Sequence, residues 1–229
     1  MSLHTNLQGR LRNTHLNKSH GLQPVFETVV NSIHSLEESG NLTTAGEIIL
    51  KIQRQSQSPL DLNTGFYNKD IEGFIVEDNG IGFNDVNMES FETLDSDHKI
   101  DKGCRGVGRL LWLKAFSCIE VNSIFLDSKN NLKKRTISFD AQNGIRLLRE
   151  TDHLEGNRKT CVHLQGFDKK YREYTPKTID AIANALLEHC LWYFVRSEGV
   201  PTIKIQDTDS NISINLNDLY ETISVRQFS

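Results

Sequence analysis

The chain is short of the residues that mark several specialised chemistries. Its 229 residues hold only 4 cysteines, Cys104, Cys118, Cys161 and Cys190. No two of them form a C-x-x-C pair, so neither a thiolate zinc site nor a disulfide framework is indicated, and reduced thiols fit a cytosolic setting. Only 4 prolines are present, which leaves no Pro-rich linker and favours one compact domain. The longest apolar stretch, Ala181 to Val195, is interrupted by Asn184, Glu188 and His189 and is too short to span a bilayer. The first six residues are polar and lack the apolar core of a signal peptide. A formal charge of -4 gives no global pull towards nucleic acid or an anionic membrane. The 8 histidines show no metal-ligand spacing, and none is arranged with a serine or cysteine as nucleophile and base. The expectation is a soluble, cytoplasmic protein with no membrane partner and no indicated nucleic-acid partner.

The pattern of apolar residues then predicts the elements. Residues 7–20 mix Arg10, Arg12, His15, Lys18 and His20 with a few leucines and read as a polar arm or short helix outside the core. From Pro24, the residues Val25, Phe26, Val29, Val30, Ile33 and Leu36 recur at helical spacing up to Gly40. Glu47 to Ile52 and Gly73 to Glu77 read as strands, the second ending at Asp78. A short helix is expected over Asn84 to Phe91, a charged lid-like segment over Glu92 to Lys102, and a helix over Gly106 to Phe116. Strands are expected at 118–126, 132–140, 144–149 and 159–165, with hairpin chemistry at Lys129-Asn130-Asn131 and Gln142-Asn143-Gly144. A helix at about 176–195 and strands near 201–206 and 210–215 complete the chain. Trp112, Trp192, Tyr193 and Phe194 fall in these helices and read as core or interface aromatics. The sum is an α+β fold, a two-layer sandwich of helices on one face of a mixed, mainly antiparallel sheet. Residues 1–20 are read as an arm and residues 21–229 as a single domain.

Three segments carry chemistry. Glu27 and Asn31 are four residues apart, so on a helix they lie one above the other and meet one ligand. Magnesium prefers hard oxygen ligands supplied largely by phosphates and water, so the amide oxygen of Asn31 is a sufficient protein contribution, with Glu27 placed to polarise a water. Taken alone, the pair also fits the polar side of an amphipathic helix. Asp78-Asn79-Gly80-Ile81-Gly82 is either a plain turn after a strand or a flat-ligand site. In the second case the carboxylate accepts from adenine's amino group, and Gly80 and Gly82 let the base approach the backbone. Gly103-Cys104-Arg105-Gly106-Val107-Gly108-Arg109 is a glycine-rich loop opening a helix, suited to an anion. It lacks the G-K-[ST] ending of a Walker A loop and the directly preceding strand of a Rossmann fingerprint. Lys99 and Lys102 precede it and are read either as phosphate contacts or as solvated loop charges.

The order E-x-x-x-N, D-x-G-x-G, G-x-x-G-x-G resembles the GHKL superfamily of DNA gyrase, the ninety-kilodalton heat-shock chaperones, sensor histidine kinases and MutL. The resemblance covers about residues 21–166 and includes Thr160, which looks like that superfamily's late threonine. It implies the Bergerat ATP-binding fold, with ATP and magnesium as cofactors. Glu27 is then the general base, Asn31 the magnesium ligand and Asp78 the reader of adenine, with Thr160 close to the base. Gly80, Gly82, Gly103, Arg105, Gly106, Val107, Gly108 and Arg109 line the phosphate and lid region. Lys99 looks somewhat like the lid lysine of the MutL and microrchidia branches. His34-Ser35 stands where many relatives have Asp-Ala. The opening Gly9-Arg10-Leu11-Arg12-Asn13-Thr14 resembles the start of larger bacterial ATP-binding proteins.

The resemblance implies a module that binds ATP with magnesium, hydrolyses it weakly in isolation and switches conformation or dimerises for a larger protein. Two alternatives stay open. One is a sensor that binds ATP or ADP without turnover, and the other is a histidine-kinase-like phosphotransferase.

Overall fold

The computed structural model describes residues 7–56, 69–93 and 108–226. Among these, the strands are β1 (Glu47–Arg54), β2 (Ile71–Asp78), β3 (Phe116–Leu126), β4 (Leu132–Asp140), β5 (Gly144–Asp152), β6 (Lys159–Phe167), β7 (Thr202–Asp207) and β8 (Ser213–Asn215). The helices are α1 (Leu7–Asn13), α2 (Gln23–Glu38), α3 (Asp85–Glu92), α4 (Gly108–Ala115), α5 (Lys169–Arg172), α6 (Ile179–Val195) and α7 (Leu216–Arg226). The strands form one sheet in the order β5-β4-β3-β6-β2-β1-β7-β8. The β1 and β7 pair is parallel and the other pairings are antiparallel. The α+β class and the mixed, mostly antiparallel sheet are as the sequence predicts.

Side-chain alternation decides which face the helices cover. Ile48, Leu50 and Ile52 of β1 are fully buried, as are Phe74 and Val76 of β2, while Lys51 and Glu77 point the other way and pair with each other at 2.8 Å. Against the apolar face lies α2, burying Val25, Val29, Ile33 and Leu36 completely. Each such side chain contributes roughly 1.5–3 kcal/mol of burial. Pro24 sits in the first turn of α2, where its missing N–H costs nothing. Gly40, at φ +71°, ends the helix in the left-handed conformation that glycine adopts without strain.

Several boundaries differ from the sequence expectation. The 7–20 segment forms α1 as a short helix, but it is not outside the core, because Leu11 and Leu16 are buried and Lys114 Nζ donates to the Leu11 carbonyl at 2.9 Å. Phe116 belongs to β3, not to the preceding helix. Its ring stacks on Phe167 of the neighbouring strand at 5.0 Å, which holds the chain extended. The last predicted strand shrinks to Ser213–Asn215, and the following residues, with Thr222 Oγ1 back-bonded to the Asp218 carbonyl, form α7. The expected lid falls mostly in 94–107, outside the described residues. Cys118, Cys161 and Cys190 are free thiols.

Candidate functional site

Strand register brings a line of polar side chains across the otherwise apolar, helix-covered face. Asp78 pairs with Thr160, Thr160 with Ser123, and Ser123 with Arg135. Paired residues share a face, and all four side chains are buried. One row further into the sheet, Leu50, Val76, Val162, Val121 and Ile137 are all apolar. Buried polar groups are costly unless they find partners, so their partners define the site.

Asp78 is held by α2 and by its own turn. Ser32 Oγ donates to Asp78 Oδ2 at 2.8 Å, and the Gly80 N–H donates to Oδ1 at 2.9 Å. Burial pushes the Asp78 carboxyl up from 3.8 to about 6, against the opposing effect of hydrogen bonds from Gly80, Ser32 and Ser35. The carboxyl is therefore ionised at neutral pH and acts as an acceptor with lone pairs to spare. The turn is fastened to the same helix, because the Ile81 N–H donates to the Ser35 carbonyl at 3.1 Å. A Cβ at Gly80 would lie 2.3 Å from Ser35 Oγ, so only glycine allows this approach. Gly82 adopts φ +82°, and a Cβ there would meet Ser123 Oγ at 2.8 Å. Ser123 Oγ accepts from the Phe83 N–H at 2.9 Å and shares a hydrogen bond with Thr160 Oγ1 at 3.1 Å.

Arg135 closes the far end of the row. It donates to the Phe83 carbonyl at 2.8 Å, pairs with Asp85 and Glu150 at 2.7 Å each, and lies 4.6 Å from the centroid of the Phe125 ring. These contacts lock the start of α3 to the sheet.

Along α2, Glu27, Asn31 and Ser35 follow one another at four-residue intervals and form a stripe up the helix. Glu27 lies about 12 Å along the axis from Ser35, at 1.5 Å per residue. Asn31 is exposed, and the Glu27 side chain keeps 34% of its surface in water. His189 of α6 approaches Glu27, with Nε2 3.8 Å from Oε1. Burial lowers the His189 pKa and the Glu27 carboxylate partly offsets it, so the imidazole is mainly neutral at pH 7.

The structure therefore brings Asp78, Gly80, Gly82 and Thr160 together, with Glu27 and Asn31 on the same helix that carries Ser32 and Ser35. Gly108 begins α4, and a Cβ there would meet open space. Arg109 follows Gly108 in the first turn of α4. Its guanidinium donates to the carbonyls of Phe91 and Thr93 and covers the Phe91 ring, a cation placed where α3 ends and favoured by the helix dipole. Lys99, Gly103, Arg105, Gly106 and Val107 lie outside the described residues. Sequence reasoning missed Ser32, Ser35 and Ser123. Ser35 is reachable as the next step of the Glu27 and Asn31 stripe, whereas Ser32, one residue after Asn31, and Ser123 are found only once α2 and the strands are placed together.

Among the described residues, no cluster of three or more His, Cys, Asp or Glu forms a ready metal cage, and no helix is long and apolar enough to cross a membrane. No known protein family matches the chain, and no curated protein matches it significantly.

Proposed function

We propose that this chain is an ATP-binding module of the GHKL type that hydrolyses ATP with magnesium and uses the cycle to switch conformation or self-association. The observation that carries the reading is the buried Asp78, Thr160 and Ser123 row, fastened to the helix that presents Glu27 and Asn31. A buried carboxylate held ionisable by two serines and a backbone N–H suits an acceptor for adenine's amino group. Guanine would set a carbonyl oxygen against it, and an acceptor facing an acceptor is strongly rejected.

From Asp78 the nucleotide extends along the Asn31 and Glu27 stripe. The donor set fits magnesium, since a single exposed amide oxygen suffices for an ion that arrives on phosphates and keeps its waters. When bound, the ion neutralises phosphate charge. Glu27 takes a proton from the attacking water as its oxygen joins the terminal phosphorus, and the bond to the bridging oxygen breaks with its electron pair leaving on ADP. General-base assistance of this kind is worth about 10²–10⁴ in rate.

Magnesium-dependent phosphate release measured beside ATP binding tests the assignment. Glu27→Ala is expected to abolish release while ATP still binds. Release at an unchanged rate in that variant contradicts the proposed role of Glu27.

A further inference from the structure

Helix α6 brings an imidazole to Glu27. His189 Nε2 lies 3.8 Å from Glu27 Oε1, and the two side chains keep 30% and 34% of their surface exposed, so water reaches the pair. An isolated ion pair in such a setting adds little to stability, which makes stability a weak reason for the contact.

The packing of two helices holds the imidazole there. α6 buries Ile182, Ala183, Leu186 and Cys190 completely, and the Phe26 ring of α2 lies against His189 with centroids 5.5 Å apart. Further along, His34 Nε2 shares a hydrogen bond with the Tyr193 hydroxyl at 2.9 Å, and Arg196 donates to Glu37 Oε1 at 2.5 Å. Glu27, His34 and Glu37 on α2 thus meet His189, Tyr193 and Arg196 on α6 in the same order. A slip of one residue, about 1.5 Å along the axis, would disturb all three contacts.

An ionised carboxylate only accepts hydrogen bonds, so the imidazole faces Glu27 with its Nε2–H. Burial keeps His189 mainly neutral at pH 7. The adjoining Cys190 thiol, pushed up to about 12 by burial, adds no charge. A neutral donor holds the carboxylate without cancelling its charge, whereas a cation in that place would make it a weaker base.

We propose that His189 is a positioning residue for Glu27, whose Nε2–H holds one carboxylate oxygen and so aims the other at the attacking water. The proton of that water still passes to Glu27, and His189 keeps its own throughout. Hydrogen bonds around a general base are often long before substrate binds and tighten in the complex, in keeping with the 3.8 Å separation. This role rests on the reading of Glu27 as general base and deepens it by naming the group that orients the base.

Magnesium-dependent phosphate release and calorimetric ATP binding, both measured on the full chain, test the proposal with His189→Leu and His189→Gln. Leucine fills the space without a donor, and glutamine returns an N–H. In His189→Leu kcat is expected to fall roughly 10- to 100-fold with the Kd for ATP within about twofold of the native value. In His189→Gln the rate should return to within about threefold of native. A kcat unchanged in His189→Leu, or an equal loss in both variants, overturns the proposal and leaves Glu27 as the base. If circular dichroism shows that His189→Leu does not fold, His189→Phe, which keeps a ring against Phe26, takes its place with the same expectations. If the unsubstituted chain binds ATP and releases no phosphate, the reading of Glu27 as base fails, and the positioning role falls with it.

Discussion

Asp78→Asn should make the ligand-free protein more stable at neutral pH. In the folded chain the carboxyl titrates at about 6 instead of 3.8 because it is buried. The folded state therefore holds its proton more tightly than the unfolded state. The resulting stabilisation is fully present below pH 3.8 and is lost as pH rises through about 6. At 1.36 kcal/mol per pH unit, holding an ionised carboxylate there costs about 3 kcal/mol at pH 7.5. Asparagine removes that cost and keeps the geometry. Its carbonyl oxygen still accepts from the Gly80 N–H, and its amide donates to Ser32 Oγ, which now acts as acceptor. For a chain of this length about 3 kcal/mol corresponds to a rise in Tm of roughly 6–12 °C. Thermal melts followed by circular dichroism from pH 4 to pH 8 measure it. The gap between variant and native chain is expected to be widest above pH 6 and to close towards pH 4. A variant no more stable than the native chain at pH 7.5, or a gap that does not change with pH, refutes the reasoning. A stability cost of this kind is what a trade-off between stability and the proposed adenine contact predicts.

The neighbouring residues carry their own expectations. Gly80→Ala drives a Cβ to 2.3 Å from Ser35 Oγ and 2.8 Å from the Ser35 backbone carbon, so a loss of about 1–3 kcal/mol is expected in urea unfolding. Native-like stability would show that the turn is looser than described. Ser32→Ala removes a donor from the buried carboxylate and is expected to cost about 1–3 kcal/mol at pH 7.5. The cost should shrink below pH 6 as the carboxyl gains its own proton, and an equal cost at pH 5 and pH 7.5 would separate Ser32 from the Asp78 charge. Arg135→Ala strips the pairs with Asp85 and Glu150, and about 2–3 kcal/mol should be lost. That is less than for a fully buried pair, because both carboxylates reach water. A change below about 0.5 kcal/mol would mean that the cluster holds nothing in place.

Much of this arrangement was legible in the sequence, for identifiable reasons. Helix α2 announces itself because six apolar residues keep helical spacing between Pro24 and Gly40, and β2 because its apolar run stops at an Asp-Asn-Gly turn. Local signals of that kind depend on neighbours in the chain. The burial of the α1 segment is hidden in the sequence because Leu11 and Leu16 are diluted by arginines and histidines whose charged ends remain near solvent. The parallel joining of β1 to β7 links residues more than 150 positions apart, and no local pattern encodes it. The same limit applies to the site. Glu27, Asn31, Asp78 and Thr160 stand out by residue type and order, whereas Ser123 and Arg135 enter only when β3 and β4 are laid beside β6.

The central claim is tested most directly by calorimetric titration of the chain with magnesium and ATP, with GTP as control and Asp78→Asn beside the native sequence. The account predicts saturable ATP binding at one site, no comparable binding of GTP, and loss of the ATP signal in Asp78→Asn despite its higher melting temperature. ATP and GTP binding alike, or ATP binding that survives unchanged in Asp78→Asn, would contradict the assignment of this carboxylate as the reader of adenine.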